Sequence, residues 1–173
     1  MRHLIAVLFT LGLTACSSVS VDDYSDRQPT FSPETFFAGA LTAHGVVKDY
    51  KGYASRSFVA DITACWQNGI GTLDERFVFD DGEKQTRQWT MKKINAHHYE
   101  ATASDVVGTA KGFSYGPAFK LEYVLLVPVK GKNMKIKFDD WIFMQDERVA
   151  INRATMTKFG IKVAELTVMF VKD

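Results

Sequence analysis

The chain has 173 residues, 46% of them hydrophobic, with 13 Phe, 6 Tyr and 3 Trp, which is material for one substantial core at an ordinary single-domain length. Its formal net charge of +1 argues against a nucleic-acid partner, for which a basic stripe is expected. With only two cysteines, a disulfide-stapled scaffold is excluded as well.

In chain order, Met1-Arg2-His3 and the apolar run from Leu4 to Leu13 have the form of a signal peptide's positive and hydrophobic regions. A membrane-spanning helix needs about 20 apolar residues, and Ser17, Ser18 and Ser20 follow too soon for one. Leu13-Thr14-Ala15-Cys16 has the pattern of a bacterial lipobox, in which the thiol is alkylated by diacylglycerol and the chain is cut just before the cysteine. Cys16 is therefore the expected lipidation site, with residues 1–15 removed. Two or three acyl chains, at about 0.8 kcal/mol per buried CH₂, hold a protein on a membrane. Ser17 after the cysteine, where an Asp would retain the protein at the inner membrane, points under the Gram-negative sorting rule to the periplasmic face of the outer membrane. With Cys16 consumed by lipid, Cys65 has no intramolecular partner and reads as a small core or rim residue.

Residues 16–30 are polar and lack periodicity, so they read as the lipidated cysteine and a flexible tether. The domain spans residues 31–173. Ser32-Pro33-Glu34 supplies an N-cap, a proline at the first helical position and an acid in the first turn, predicting one short helix through about Phe37. Thereafter Lys51-Gly52, Asn68-Gly69, Asp81-Gly82, Asn95-Ala96, Gly116-Pro117, Gly131-Lys132 and Gly160 divide the chain into segments of about ten residues, the spacing of antiparallel hairpins. Asn68-Gly69 and Asp81-Gly82 suit turns that need positive φ. Phe58, Ala60, Ile62, Ala64 and Trp66 alternate in the strand period, as do Leu73, Phe77 and Phe79, and Phe119, Leu121, Tyr123, Leu125 and Val127. The expected fold is all-β: an antiparallel up-and-down, lipocalin-like barrel of nine or ten strands with one short N-terminal helix, a sandwich being the alternative. Closure removes the exposed edges that a disulfide-free exported protein would otherwise carry.

Polar residues in phase with an apolar face carry the functional signal. Glu75 lies between Leu73 and Phe77, Arg87 shares a face with Trp89 and Met91, Asp61 with Val59, and Arg153 with Ile151. A buried charge must be paired or neutralised. Glu75 and Arg87 sit at similar offsets from the Asp81-Gly82 turn, so they face each other across two strands, as a structural ion pair or as the polar anchor of a ligand head in an apolar cavity. Asp139 and Asp140 are successive and point to opposite faces, a poor acid–base pair on their own. Asp105 is a further acidic candidate; Trp66, Phe77, Trp89 and Trp141 are expected to line the cavity. His97 and His98 are neighbours that diverge in a strand, and without HExxH, CxxC, a nucleophile elbow or a phosphate loop no metal or cofactor is expected. Lys130, Lys132, Lys135 and Lys137 decorate one hairpin, where they guard an edge or meet anionic lipid.

Six ordered segments resemble Gram-negative lipoproteins grouped as the domain of unknown function 3833 family. They are Phe36 to Gly45 (FFAGALTAHG), Gly71 to Phe77 (GTLDERF), Asp80 to Glu83 (DDGE), Asp105 to Gly112 (DVVGTAKG), Phe138 to Trp141 (FDDW) and Asn152 to Gly160 (NRATMTKFG). The resemblance implies a lipocalin-like barrel on a lipoprotein and assigns no catalytic residues. It also implies a lipid connection, since members are often encoded near lipid-modifying enzymes. The leading expectation is a membrane-anchored periplasmic module that binds or carries a small apolar ligand such as a fatty acid or lipid, with Arg87 or Arg153 meeting its head. The alternatives are a structural or assembly lipoprotein engaging an envelope protein, which needs a filled interior and an exposed apolar patch, and an enzyme on an envelope lipid using Glu75, Asp105 or Asp140.

Overall fold

The computed structural model describes residues 18–129 and 131–173; the expected signal peptide and lipidation site, Cys16, lie outside the described residues. Ten strands follow in chain order: β1 (Gly39–Asp49), β2 (Ala54–Gln67), β3 (Ile70–Phe79), β4 (Lys84–Lys93), β5 (His98–Thr102), β6 (Ala110–Tyr115), β7 (Ala118–Val129), β8 (Lys132–Met144), β9 (Val149–Lys158) and β10 (Ile161–Lys172). Each pairs antiparallel with the next, and β10 pairs with β1, so the meander closes into a barrel and not a sandwich. Closure pairs every strand on both sides over at least part of its length, and the two-residue alternation sends one face of each strand inward. Leu41, Ala43, Ala60, Ile62, Ala64, Leu73, Trp89 and Met91 are buried on that face, while Val59, Val78, Ile151 and Met169 look out.

The lower end is plugged. Helix α1 (Pro33–Phe36) begins after Ser32 as the sequence predicts, and it delivers Phe36 and Phe37 beside Phe31 into the barrel floor. Phe31 stacks on Phe119 at 5.8 Å, and Phe37 meets Phe170 edge-on at 5.6 Å. Three polar ties fix the plug: Lys93 to the Glu34 carboxylate, the Tyr99 hydroxyl donating to Glu34 at 2.8 Å, and Lys172 Nζ donating to the Thr35 carbonyl at 2.8 Å.

The described part of the expected tether is not free chain. Val21–Tyr24 forms a short 3-10 turn with Val21 buried, and the Tyr24 ring sits edge-on to Trp141 at 6.2 Å and Phe143 at 5.4 Å on the outer wall. Further on, the Phe31 N–H donates to the Gly116 carbonyl at 2.7 Å. A side chain at Gly116 would put its Cβ 2.0 Å from the Tyr24 carbonyl oxygen, so only glycine lets this segment cross the β6–β7 turn. The stretch looked featureless because its two apolar contacts are scattered and match no helix or strand period. Every strand, the plug and this crossing segment lie within residues 18–173, so that stretch holds its own closed core and hydrogen-bond ladder.

The stretch from Val106 to Tyr115 splits into a loop and the short β6. Because β4 pairs with β5 only over Thr90–Lys93, the upper half of β4, paired with β3 on one side, has no strand on the other. The loop of residues 103–109 fills this gap, pinned to β7 by the Val107 N–H to the Val124 carbonyl and the Leu126 N–H to the Asp105 carbonyl, both 2.8 Å. Asp105 is thereby suspended over the upper mouth.

Candidate functional site

Inside the apolar wall lies one polar patch. Glu75 on β3 and Arg87 on β4 are direct cross-strand partners, because equal offsets from a hairpin turn meet in an antiparallel ladder. Arg87 Nη1 stands 3.6 Å from Glu75 Oε2. The guanidinium is held more tightly by Asp105: Nε donates at 3.0 Å and Nη2 at 2.8 Å to Oδ2. Across the barrel, Tyr123 Oη donates to Asp140 Oδ2 at 3.0 Å, and the Asn152 amide donates to Asp140 Oδ1 and, at 3.1 Å, to the Trp141 carbonyl. Six side chains from five strands and one loop thus place one fixed cation among three carboxyl groups.

Burial governs the protonation of this patch. It pushes the Glu75 carboxyl up to about 7 against the pull of Arg87, and Asp140 up to about 6 against the hydrogen bonds from Asn152 and Tyr123. The Tyr123 hydroxyl is raised well above its ordinary value by the same burial and by Asp140. Glu75 Oε2 is shut off from solvent and has no hydrogen-bond partner. A buried acceptor without a donor carries a desolvation cost of about 1–3 kcal/mol.

This acceptor lines a cavity of about 110 Å³ walled by Ile62, Leu73, Phe77, Trp89, Leu121 and other apolar side chains, with Arg87, Tyr123, Asp140 and Asn152 as its remaining polar members. Above it opens a mouth space of about 410 Å³, within the range of small-molecule sites. Phe58, Phe77, Arg87, Tyr123 and Leu166 line both spaces. The Arg87–Asp105 pair therefore stands at the passage between them.

Of the sequence candidates, Glu75, Arg87, Asp105, Phe77 and Trp89 are brought together here. Three are not. Trp141 faces outward, packed by Tyr24 and with Lys120 Nζ 5.2 Å above its ring; the inward phase of β8 runs Ile136, Phe138, Asp140, Ile142. Arg153 is on the outer wall, its side chain 69% exposed and 2.9 Å from Glu165, because its phase-mate Ile151 is itself an exposed residue. Trp66 lies at the plugged end, over Gly71, below the cavity. Cys65 is exposed two residues before the end of β2, and so is not a core residue. Sequence reasoning missed Tyr123 and Asn152 as site residues. Tyr123 was visible in the Leu121–Leu125 alternation, and Asn152 stands in phase with Ala150 and Ala154, whose small side chains gave no apolar signal.

The fold and its lined interior define a closed ten-stranded antiparallel barrel with a polar patch inside an apolar cavity. Within that class, the chain belongs to the family described as protein of unknown function (DUF3833), which it matches over residues 10–172. Four of the six family-like segments deliver one polar side chain each to the patch: Glu75, Asp105, Asp140 and Asn152. Among curated proteins none matches. Among solved structures the chain is similar to the S-type phycobiliprotein lyase CPES from Guillardia theta, with TM-score 0.62 and 11% identity over 90% of this chain and 98% of that one. A likeness also extends to EF1p2_mFAP2b bound to DFHBI, with TM-score 0.42, 11% identity, and 80% of this chain and 94% of that one covered. The ywiB protein from Bacillus subtilis gives TM-score 0.38, 14% identity and coverage of 78% and 90%. At these identities the first likeness concerns the fold alone.

Proposed function

We propose that this protein is a lipoprotein, anchored through Cys16 on the periplasmic face of the outer membrane, whose barrel binds or carries a small, largely apolar molecule with a hydrogen-bonding head. The address rests on Met1 to Cys16 for the anchor and on Ser17 for the outer membrane. The ligand reading rests on one observation: Glu75 Oε2 is a buried acceptor with no hydrogen bond, its ion-pair partner Arg87 standing 3.6 Å away, and Glu75 lines a cavity that is otherwise mostly apolar. A donor group on a ligand would complete it.

The head chemistry follows from the charges. Arg87 is occupied by Asp105 and Arg153 is outside the barrel, so neither guanidinium waits for an anion. A free carboxylate would join Glu75, Asp105 and Asp140 around a single cation. An alcohol, amide or hydroxyl-bearing ester fits better, and a fatty acid enters only in its protonated form. The structural-lipoprotein alternative asked for a filled interior, and the space beside Glu75 speaks against it.

The test is native purification of the chain from Ser18 onward, followed by mass spectrometry of whatever is extracted with it and titration with a dansylated fatty alcohol. A stoichiometric apolar compound with a donor head, lost in Glu75→Leu, is the expected result. An empty barrel that also ignores the fluorescent alcohol overturns the reading. One observation favours a second reading: a carboxyl poised near neutral pH inside a cavity suits acid–base chemistry. In that case the compound released differs covalently from the one supplied.

A further inference from the structure

The mouth of the barrel carries apolar side chains that nothing in the fold uses. Phe159 is 94% exposed, Tyr53 73%, Ile161 71% and Tyr50 68%. They sit on two hairpins, β1–β2 and β9–β10, which are neighbours because β10 pairs with β1. Phe159 is the more telling. It occupies the first position of a two-residue turn with φ 50°, followed by Gly160 at φ 78°. This left-handed backbone costs a side chain such as Phe about 1–2 kcal/mol. The chain solves the same turn at the plugged end with Asn68 at φ 52° and Gly69 at φ 76°, the residue pair that suits it. The fold therefore gains nothing from this strained, exposed phenylalanine.

Positive charge accompanies these rings. Lys158 Nζ lies 5.3 Å over the Phe159 ring and Lys51 Nζ 5.5 Å over the Tyr50 ring. Lys162 is partly offset by Glu165 at 2.7 Å. The arc continues through the β7–β8 hairpin, next to β9, where Lys132 and Lys135 are exposed. Acidic groups at this mouth are Asp49 on the β1–β2 tip, whose carboxylate is taken up by the Lys51 and Tyr53 N–H groups, and Asp80, Asp81 and Glu83 on the β3–β4 tip beyond β2, where Arg56 binds Asp81 and Glu83. Aromatic and apolar tips with flanking lysines match the layered chemistry of a bilayer surface, apolar below and anionic above. A protein partner would be expected to bury these rings in a concave or flat patch, whereas here they project from separate hairpin tips.

We infer that the β9–β10 and β1–β2 tips dock the barrel mouth onto an anionic lipid bilayer, with Phe159 and Tyr53 inserted and Lys51 and Lys158 on the headgroups. This surface lies at the opposite end of the barrel from residues 18–24, which pack beside the β6–β7 turn on the way to Cys16, and it opens the interior cavity toward the bilayer that it meets. The chain from Ser18 onward, which lacks Cys16, is floated with vesicles of equal parts phosphatidylethanolamine and phosphatidylglycerol, and separately with phosphatidylcholine vesicles. It is expected to float with the first and stay behind with the second. Lys51→Gln with Lys158→Gln should weaken partitioning about thirtyfold, which is about 2 kcal/mol at about 1 kcal/mol per lysine. Phe159→Ser should weaken it several-fold while near-ultraviolet circular dichroism stays unchanged. Folded protein that ignores anionic vesicles, or binds them equally well without Phe159, overturns the inference. So does reversible dimerisation without vesicles that Phe159→Ser abolishes, which assigns the tips to a second copy of the chain.

Discussion

At the lower end of the barrel Phe31, Phe36 and Phe37 are packed into the floor, whereas at the upper end Tyr50, Tyr53 and Phe159 project into solvent. Both ends use the same residue class. The lower aromatics meet one another and Phe119 and Phe170, so their apolar area leaves water on folding. The upper ones leave theirs in contact with water, and the fold gains nothing from them. The contrast separates residues kept for stability from residues kept for contact, and substitutions at the two ends should separate the same way.

The largest effect belongs to the plug. Phe31→Ala removes a ring that is only 2% exposed, and the cavity left behind should cost about 3–5 kcal/mol in urea unfolding. A cost under about 1 kcal/mol would mean that the floor collapses to heal itself, and that the two ends differ less than their packing suggests.

The interior patch lies between these extremes: buried, yet incompletely satisfied. Glu75 sits at about 7 in the barrel against an ordinary 4.5. An acid whose folded value is raised favours the fold when protonated. Its contribution is fully present below about 4.5 and is lost as pH climbs through about 7. Glu75→Gln should therefore raise stability over the wild type by on the order of 2–3 kcal/mol at about pH 8 and by almost nothing at about pH 4. Equal gains at both pH values would show that the buried charge is not what strains this site.

Much of this arrangement is legible in the chain, and the misses have physical causes. Hairpin symmetry about Asp81-Gly82 is enough to set Glu75 opposite Arg87, since register follows from the turn. No such rule reaches Asp105, whose position depends on β5 and β6 being short and on a loop crossing the gap. In Phe138-Asp139-Asp140-Trp141 the in-phase neighbours Ile136 and Ile142 select Asp140 for the interior, and the tryptophan's size is the misleading cue. Arg153 misled in the opposite way, because Ile151 is apolar and exposed. Exposed aliphatic residues are common enough on protein surfaces that a single one cannot mark an inward face. The plug was visible only as a capped helix; that it closes the barrel depends on long-range contacts with Phe119 and Phe170.

The smallest effect is the sharpest test of the comparison, because it should raise stability. Asn68-Gly69 and Phe159-Gly160 share one backbone at opposite ends of the barrel, with φ of 52° and 76° against 50° and 78°. Asparagine enters the left-handed region more easily than phenylalanine does. Phe159→Asn gives the upper turn the residue already present in the lower one and removes no buried contact, since Phe159 is 94% exposed. It should stabilise the barrel by about 1 kcal/mol, read as a higher urea midpoint with an unchanged slope. If Phe159 is kept for the bilayer, the same variant binds anionic vesicles more weakly, so stability and docking move in opposite directions. A variant that is less stable than the wild type would instead place the ring in a structural role and move Phe159 into the same class as Phe31.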